Sequence, residues 1–248
     1  MASIGIFDSG SGGLTVLREI RKILPDERYI YWSDNAHCPY GEKTPEYIIG
    51  RSRAITDLLL SKGADAVVVA CNTATAAAIA TLRAEYTIPF VGMEPAVKPA
   101  ASGTRTGVVG VLATASTLSA PKYLNIKGQY ADAVRIAEHV GKGFVELVES
   151  LELDGPHAEA VVRASLEPLL AQGADTIVLG CTHYPFLLPL MQRIAPDGVK
   201  FIDPAPAVAR RLADVLKMHG IPTSCGTPGV ELLSSGPDAT LKKLFELI

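Results

Sequence analysis

Two cysteines, Cys71 and Cys181, each follow a short run rich in Val and Ile, and each precedes small polar residues: Asn72 and Thr73 in one case, Thr182 and His183 in the other. A thiol read alone is a small buried hydrophobe. Two thiols in matching settings admit three chemistries. They can form a reversible disulfide, one can act as a nucleophile in acyl or amide chemistry, or they can serve as base and acid on opposite faces of one carbon. No Cys-x-x-Cys spacing marks a redox pair, and a single nucleophile leaves the second thiol without a task. The third chemistry uses both. Each Cys is expected at a helix N-terminus, where the dipole favours thiolate. His183 is placed to hold or pass a proton near Cys181.

Two further stretches carry polar groups. Asp8-Ser-Gly-Ser-Gly-Gly13 reads either as an anion cradle of backbone N–H groups or as a tight strand-to-helix turn, with Asp8 as an ionisable group at a strand end. It is neither a Walker loop, since no Gly-Lys-Ser/Thr follows, nor a dinucleotide fingerprint, whose third glycine falls on Thr15. In Asp34–Lys43, Pro39-Tyr40-Gly41 reads as a turn that closes over a ligand through its amides, or as a plain surface loop, with His37 and Cys38 as bystanders.

The elements that must position these groups alternate. Apolar runs predict strands at Ser3–Phe7, Arg28–Trp32, Ala66–Ala70, Phe90–Gly92, Gly107–Leu112, Ala133–Glu138, Thr176–Leu179 and Lys200–Ile202. Helical patterns fall at Leu14–Leu24, Pro45–Ser61 and Ala74–Tyr86. Alternation of this kind implies parallel sheets covered on both faces. The chain also repeats. Gly63-Ala-Asp-Ala-Val-Val-Val-Ala-Cys71 matches Gly173-Ala-Asp-Thr-Ile-Val-Leu-Gly-Cys181, and Arg53, Ala54, Leu59 and Leu60 recur as Arg163, Ala164, Leu169 and Leu170. Helix-ending glycines and strand valines recur in unrelated units, but a Cys at the same point after each strand does not follow from them. The expected architecture is two similar, pseudo-symmetric parallel-sheet α/β domains: 1–97 plus 207–248 carrying Cys71, and 98–206 carrying Cys181. Ligands of such sheets bind beyond the carboxyl ends of the strands, so the active site is expected in the cleft between the domains.

Composition sets limits. The 248 residues are 48% hydrophobic and 20% charged, with a net charge of −3 and 6% aromatics. This is globular composition, with no basic surface for nucleic acid and no stacking platform. No apolar run approaches the roughly 20 residues of a membrane helix, and the N-terminal residues lack the pattern of a signal peptide. Cysteines at 38, 71, 181 and 225 are too few and too scattered for a disulfide framework, and no Cys/His spacing suggests zinc. A cytoplasmic location with reduced thiols, no metal, no membrane and no nucleic-acid partner is the expectation.

Asp8-Ser-Gly-Ser-Gly-Gly-Leu-Thr-Val16, Pro39-Tyr-Gly-Glu-Lys43, Ala70-Cys-Asn-Thr73, Thr114-Ala-Ser-Thr117 with Tyr123, and Leu179-Gly-Cys-Thr-His-Tyr-Pro185 together resemble the motifs of the aspartate/glutamate racemase family, and specifically its bacterial glutamate racemases, in the family's order. The resemblance implies cofactor-independent interconversion of L- and D-glutamate, supply of D-glutamate for peptidoglycan, and a homodimer. It implies that Cys71 and Cys181 are the acid/base pair, assisted by Asp8 and His183. Ser9, Tyr40, Gly41, Asn72, Thr73, Thr182 and His183, together with Asp8, would line the glutamate site, with Thr114 and Thr117 close by. The sequence departs from the family at Gly141-Lys-Gly-Phe144, where relatives are rich in Cys and Pro, while Glu149 matches a family glutamate that the resemblance implies lies near the second-half cysteine. Other readings compatible with the same residues are a racemase for another acid, such as aspartate or a hydantoin, and a non-catalytic binding or inhibitor protein on this scaffold.

Overall fold

The computed structural model describes residues 1–223 and 228–248, so Cys225 lies outside the described residues. The chain begins with β1 (Ser3–Asp8), α1 (Leu14–Ile23), β2 (Arg28–Ser33), α2 (Pro45–Ser61), β3 (Ala66–Val69), α3 (Asn72–Glu85) and β4 (Phe90–Gly92). It continues through α4 (Val97–Gly103), β5 (Val108–Ala113), α5 (Ala115–Leu118), α6 (Pro121–Tyr130), β6 (Arg135–Val140), α7 (Phe144–Glu149), α8 (Pro156–Leu170), β7 (Thr176–Gly180), α9 (Leu188–Ile194) and β8 (Lys200–Ile202). It ends with α10 (Ala205–Met218), β9 (Gly229–Ser234) and α11 (Ala239–Phe245). Two compact units result, 1–93 with 205–248, and 94–204. The eight strands read from the sequence form within two residues of the expected positions.

Each unit carries one parallel sheet. The first has the order β4-β3-β1-β2-β9 and the second β6-β5-β7-β8. Read from the other edge, the second order is β8-β7-β5-β6, the same arrangement as β4-β3-β1-β2. The repeat in the sequence is thus a repeat in topology, to which the first unit adds an edge strand. That strand, β9, pairs with β2 from Arg28↔Gly229 to Ser33↔Ser234. It was not read from the sequence: Gly229-Val-Glu-Leu-Leu-Ser234 is half-buried and lacks the Val/Ile run that marks the inner strands.

The Gly-Ala-Asp triplet before each cysteine strand has the same structural work in both units. Gly63 (φ +84°) and Gly173 (φ +88°) follow α2 and α8 in the left-handed region, where a side chain is strained. Ala64 and Ala174 then pack beneath a glycine of the neighbouring strand. A Cβ on Gly5 would lie 3.0 Å from Leu59 Cδ1 and 3.3 Å from Ala64 Cβ; one on Gly110 would lie 3.2 Å from Leu169 Cδ1 and 3.3 Å from Ala174 Cβ. The aspartates fix the start of that same strand. Asp65 accepts the Ser3 N–H at 2.8 Å. Asp175 accepts the Thr104 hydroxyl at 2.5 Å and the Arg105 and Thr106 N–H groups at 2.8 and 3.2 Å.

Among the described residues no helix is long and apolar enough to cross a membrane. Cores of buried Val, Leu, Ile and Ala lie on the sheets, with Tyr29, Tyr31, Tyr40, Tyr123 and Tyr184 buried as well.

Burial pushes the Asp175 carboxyl up, but hydrogen bonds from Thr104, the Arg105 and Thr106 amides and Thr176 prevail and hold it down at about 2, from an ordinary 3.8. A carboxyl depressed by folding stabilises fully above its unfolded value and loses that contribution as pH falls through the folded one. Asp175→Asn should therefore lower the urea midpoint at pH 7, and its gap to the wild type should close between pH 4 and pH 2. A gap that stays constant over that range would refute this account.

Candidate active site

In the first unit, the candidate residues collect at the carboxyl ends of β1, β2 and β3, the end where parallel α/β sheets bind ligands. Asp8 is fully buried. Its Oδ1 accepts the Ser9 N–H at 2.7 Å and its Oδ2 accepts the Gly13 N–H at 2.5 Å. The glycine-rich stretch makes a tight turn in which these two amides close on Asp8. Gly13 has to lack a side chain, since a Cβ would lie 2.9 Å from both Asp8 Cβ and the Tyr31 hydroxyl. Tyr31 in turn donates to the Gly10 carbonyl at 3.0 Å.

Cys71 is the N-cap of α3. Its Sγ accepts the Ala74 N–H at 3.4 Å and donates to the Ser9 hydroxyl at 3.7 Å. The helix begins at Asn72, two residues before the expected Ala74, because the sulfur itself caps the first turn. Asn72 and Thr73 are therefore helical and buried. Asn72 Nδ2 is a buried donor with no hydrogen-bond partner among the described residues. An acceptor brought to it would remove a desolvation penalty of about 1–3 kcal/mol. Thr75, one turn into α3, donates to the Val69 carbonyl and accepts the Met93 N–H, each at 3.0 Å, and so pins the helix start to β3 and the chain beyond β4.

The Tyr40–Gly41 stretch is held by groups that the sequence reading passed over. Asp34, fully buried, receives two bonds from Arg51 (2.9 and 2.6 Å) and one from the Tyr40 hydroxyl (2.6 Å), and its own N–H donates to the Asp8 carbonyl (2.9 Å). Burial pushes the Asp34 carboxyl up, yet the Arg51 and Tyr40 hydrogen bonds bring it below its usual range. Burial and the Asp34 carboxylate together push the Tyr40 phenol far up. The Tyr40 hydroxyl is thus committed, and what this stretch can offer a ligand is the main chain of Tyr40 and Gly41. The one clue in the sequence was an aspartate directly after β2, one residue beyond the position paired with Asp8. His37 and Tyr47 pair through Nδ1 and the phenol oxygen at 2.5 Å.

In the second unit, Thr114 and Thr117 follow β5, and Cys181, Thr182 and His183 follow β7. Thr114 Oγ1 caps α5, accepting the Thr117 N–H at 3.2 Å and donating to the Thr117 hydroxyl at 2.9 Å. Tyr123 supports this region from behind, its hydroxyl donating to Glu138 at 2.6 Å. The expectation that Cys181 sits at a helix N-terminus is corrected. The chain turns at 181–183, runs through a 3-10 segment at Tyr184–Leu187, and only then enters α9. Pro185 and Pro189 have no N–H to give an α-helical ladder there. The partner of Cys181 is instead His183, whose Nδ1 lies 3.7 Å from Sγ, and His183 Nε2 lies 2.8 Å from Glu149 Oε1. His183 is 1% exposed. Burial alone would lower its pKa, but the bonds to Cys181 and Glu149 outweigh it and raise the imidazole well above 6.5. Glu149, the last residue of α7, thus completes a Cys–His–Glu series, whereas Cys71 meets a hydroxyl and a backbone amide.

The sequence matches the Asp/Glu/Hydantoin racemase family over residues 4–212, and the chain belongs to that family. It is 48% identical to the glutamate racemase of Ectopseudomonas mendocina (strain ymp) over 248 residues, covering 100% of this chain and 94% of the relative. Its fold is similar to that of Escherichia coli glutamate racemase in complex with L-glutamate and the activator UDP-MurNAc-ala (TM-score 0.89, 35% identity, 99% of this chain and 94% of that one). It is also similar to glutamate racemase from Francisella tularensis subsp. tularensis SCHU S4 in complex with D-glutamate (TM-score 0.83, 26% identity, 99% and 92%).

Removing the cation from the Asp34 pair tests the support of Tyr40. Arg51→Leu leaves a buried carboxylate with too few donors and should cost roughly 3–5 kcal/mol in urea unfolding. Asp34→Asn in the same chain should recover part of that. A loss below about 1 kcal/mol for Arg51→Leu would mean that Asp34 is not held as described.

Proposed function

We propose that this protein interconverts L- and D-glutamate without a cofactor, through two-base proton transfer at Cα between Cys71 and Cys181. The observation that carries this reading is the pair of thiols at equivalent strand ends of a duplicated fold, one beside a hydroxyl and a helix amide and the other beside an imidazole. A racemase meets two mirror-image substrates, and two equivalent halves suit that requirement. The wider role is supply of D-glutamate for peptidoglycan by a homodimer.

In the L-to-D direction, the Cys181 thiolate takes the Cα proton. The electron pair of the broken C–H bond passes into the α-carboxylate, and the Cys71 thiol returns a proton to the opposite face. One S–H bond forms as the other breaks, so the enzyme ends with its proton on the other sulfur, and the D-to-L direction resets it. The mechanism requires both sulfurs to reach the same carbon. His183, kept protonated by Glu149, is the hydrogen-bonding neighbour of Cys181. Ser9 and the α3 amides, with Asp8 behind them, serve Cys71. Asn72 Nδ2, with Thr73 and Thr182 and the main chain at Tyr40 and Gly41, supplies donors for the substrate carboxylates, and fixed donors aimed at developing negative charge lower the barrier. Thr114 and Thr117, which follow β5, belong to the same proposed set.

Incubation with L-glutamate in heavy water should give D-glutamate carrying deuterium at Cα. Aspartate should give little exchange, and dialysis against chelator should leave the rate unchanged. Cys71→Ser and Cys181→Ser should each abolish racemisation, since a hydroxyl ionises far less readily than a thiol of pKa near 8.5 and so offers neither an accessible anion to take the proton nor an acid strong enough to return it. The two variants should differ on a glutamate analogue bearing a leaving group at Cβ, where elimination needs proton removal from one face only. Cys181→Ser should process the D-analogue and Cys71→Ser the L-analogue. Full racemase activity in either variant, or the same handedness in both, would contradict the two-base assignment. No exchange from either enantiomer in the wild type would favour a binding role for the scaffold.

A further inference from the structure

The stretch Gly141-Lys142-Gly143-Phe144, where this chain departs from the pattern it resembles, is the place that Tyr184 fills. Gly141 extends the β6 edge of the sheet, its N–H donating to the Ala113 carbonyl at 3.2 Å. Tyr184 is fully buried, and its hydroxyl donates to the Gly141 carbonyl at 3.4 Å. Its ring meets Phe144 edge-on, centroids 4.9 Å apart at 67°, a favoured aromatic geometry. There is no room for a side chain at Gly141: a Cβ would lie 2.5 Å from the Tyr184 phenol oxygen and 2.7 Å from Cζ. The tyrosine is thus wedged between the end of β6 and the first residue of α7.

A helix of six residues is not stable by itself, so tertiary contacts decide where α7 lies. Phe144 is its first residue and Glu149 its last. Consecutive residues of the segment after β7 hold its two ends: Tyr184 meets Phe144, and His183 bonds Glu149. A shift of about 1 Å in α7 would carry Glu149 from 2.8 Å to beyond hydrogen-bond reach of His183.

We propose that Tyr184 is a positioning residue, a wedge against Gly141 and Phe144 that sets α7 so that Glu149 stays on His183 and His183 stays on Cys181. As a statement about catalysis it rests on the assignment of Cys181 as an acid/base group. As a statement about the His183–Glu149 contact it stands on geometry alone.

The test follows the His183 ring by NMR across pH in protein labelled at histidine nitrogens, with His183→Gln to assign the signal. Gly141→Ala, which forces the wedge out, and Tyr184→Leu, which removes it, should each lower the His183 titration midpoint by about one pH unit. Each should also reduce kcat in the L-to-D direction about tenfold with little change in KM. Tyr184→Phe keeps the wedge and should keep both values near wild type. In a Glu149→Gln background, Tyr184→Leu should cause no further shift, because the effect runs through Glu149. If Gly141→Ala and Tyr184→Leu lower the melting temperature but leave the His183 midpoint unmoved, the proposal is overturned. A Tyr184→Phe variant shifted as far as Tyr184→Leu would overturn the wedge in the same way. Absence of racemisation in the wild type would instead count against the proposed function, while the titration would still decide the role of Tyr184.

Discussion

The placement of each thiol depends on one close approach, made twice. A glycine in the strand beside the cysteine strand, Gly5 in β1 and Gly110 in β5, leaves just enough space for a leucine and an alanine from the preceding helix and its turn. That contact seats α2 and α8 against their sheets. The turn glycine then reverses the chain, the aspartate of the triplet binds the start of the neighbouring strand, and the cysteine strand enters in parallel register, Ile4↔Ala66 in one sheet and Val109↔Thr176 in the other. Because interiors pack near crystal density, a single methyl added at either glycine would press on that leucine and alanine, which would have to give by a few tenths of an ångström. A thiol beyond the carboxyl end of the strand is the consequence of this packing.

From equivalent starting points the two thiols reach unlike surroundings. Cys71 caps a fourteen-residue helix and meets a hydroxyl, with Asp8 buried behind it. Cys181 is followed by a proline-bearing 3-10 segment, and an imidazole backed by a carboxylate stands where the helix start would be. Backbone amides and dipole stabilise negative charge in the first case, a charged hydrogen-bond donor in the second. The repeat carries a common strand and cysteine, and the few residues that follow differ and give each sulfur different neighbours. This suits a reaction whose two directions begin from mirror-image substrates.

Much of this was legible in the sequence, because the signals are local. Runs such as Ala66–Val69 fix strands, Thr44 before Pro45 fixes a helix start, and the repeated Gly-Ala-Asp with a Cys eight residues after the glycine discloses duplication and names the thiols. What the sequence did not disclose depends on residues far apart along the chain or on a choice among donors. The pairing of Asp34 with Arg51, of His183 with Glu149, and of β9 with β2 joins segments separated by 17, 34 and about 200 residues, and nothing in their local pattern selects one partner over another. That the Ser9 and Gly13 amides of the glycine-rich stretch close on Asp8 was decided by the fold. Whether Cys181 would cap a helix was decided by prolines acting within a packed turn, and the emptiness of Gly141 by a tyrosine forty-three residues away. Hydrogen-bond donors and buried volumes are satisfied in three dimensions, so residue types and spacing determine which groups are available, and only tertiary packing decides which of them meet.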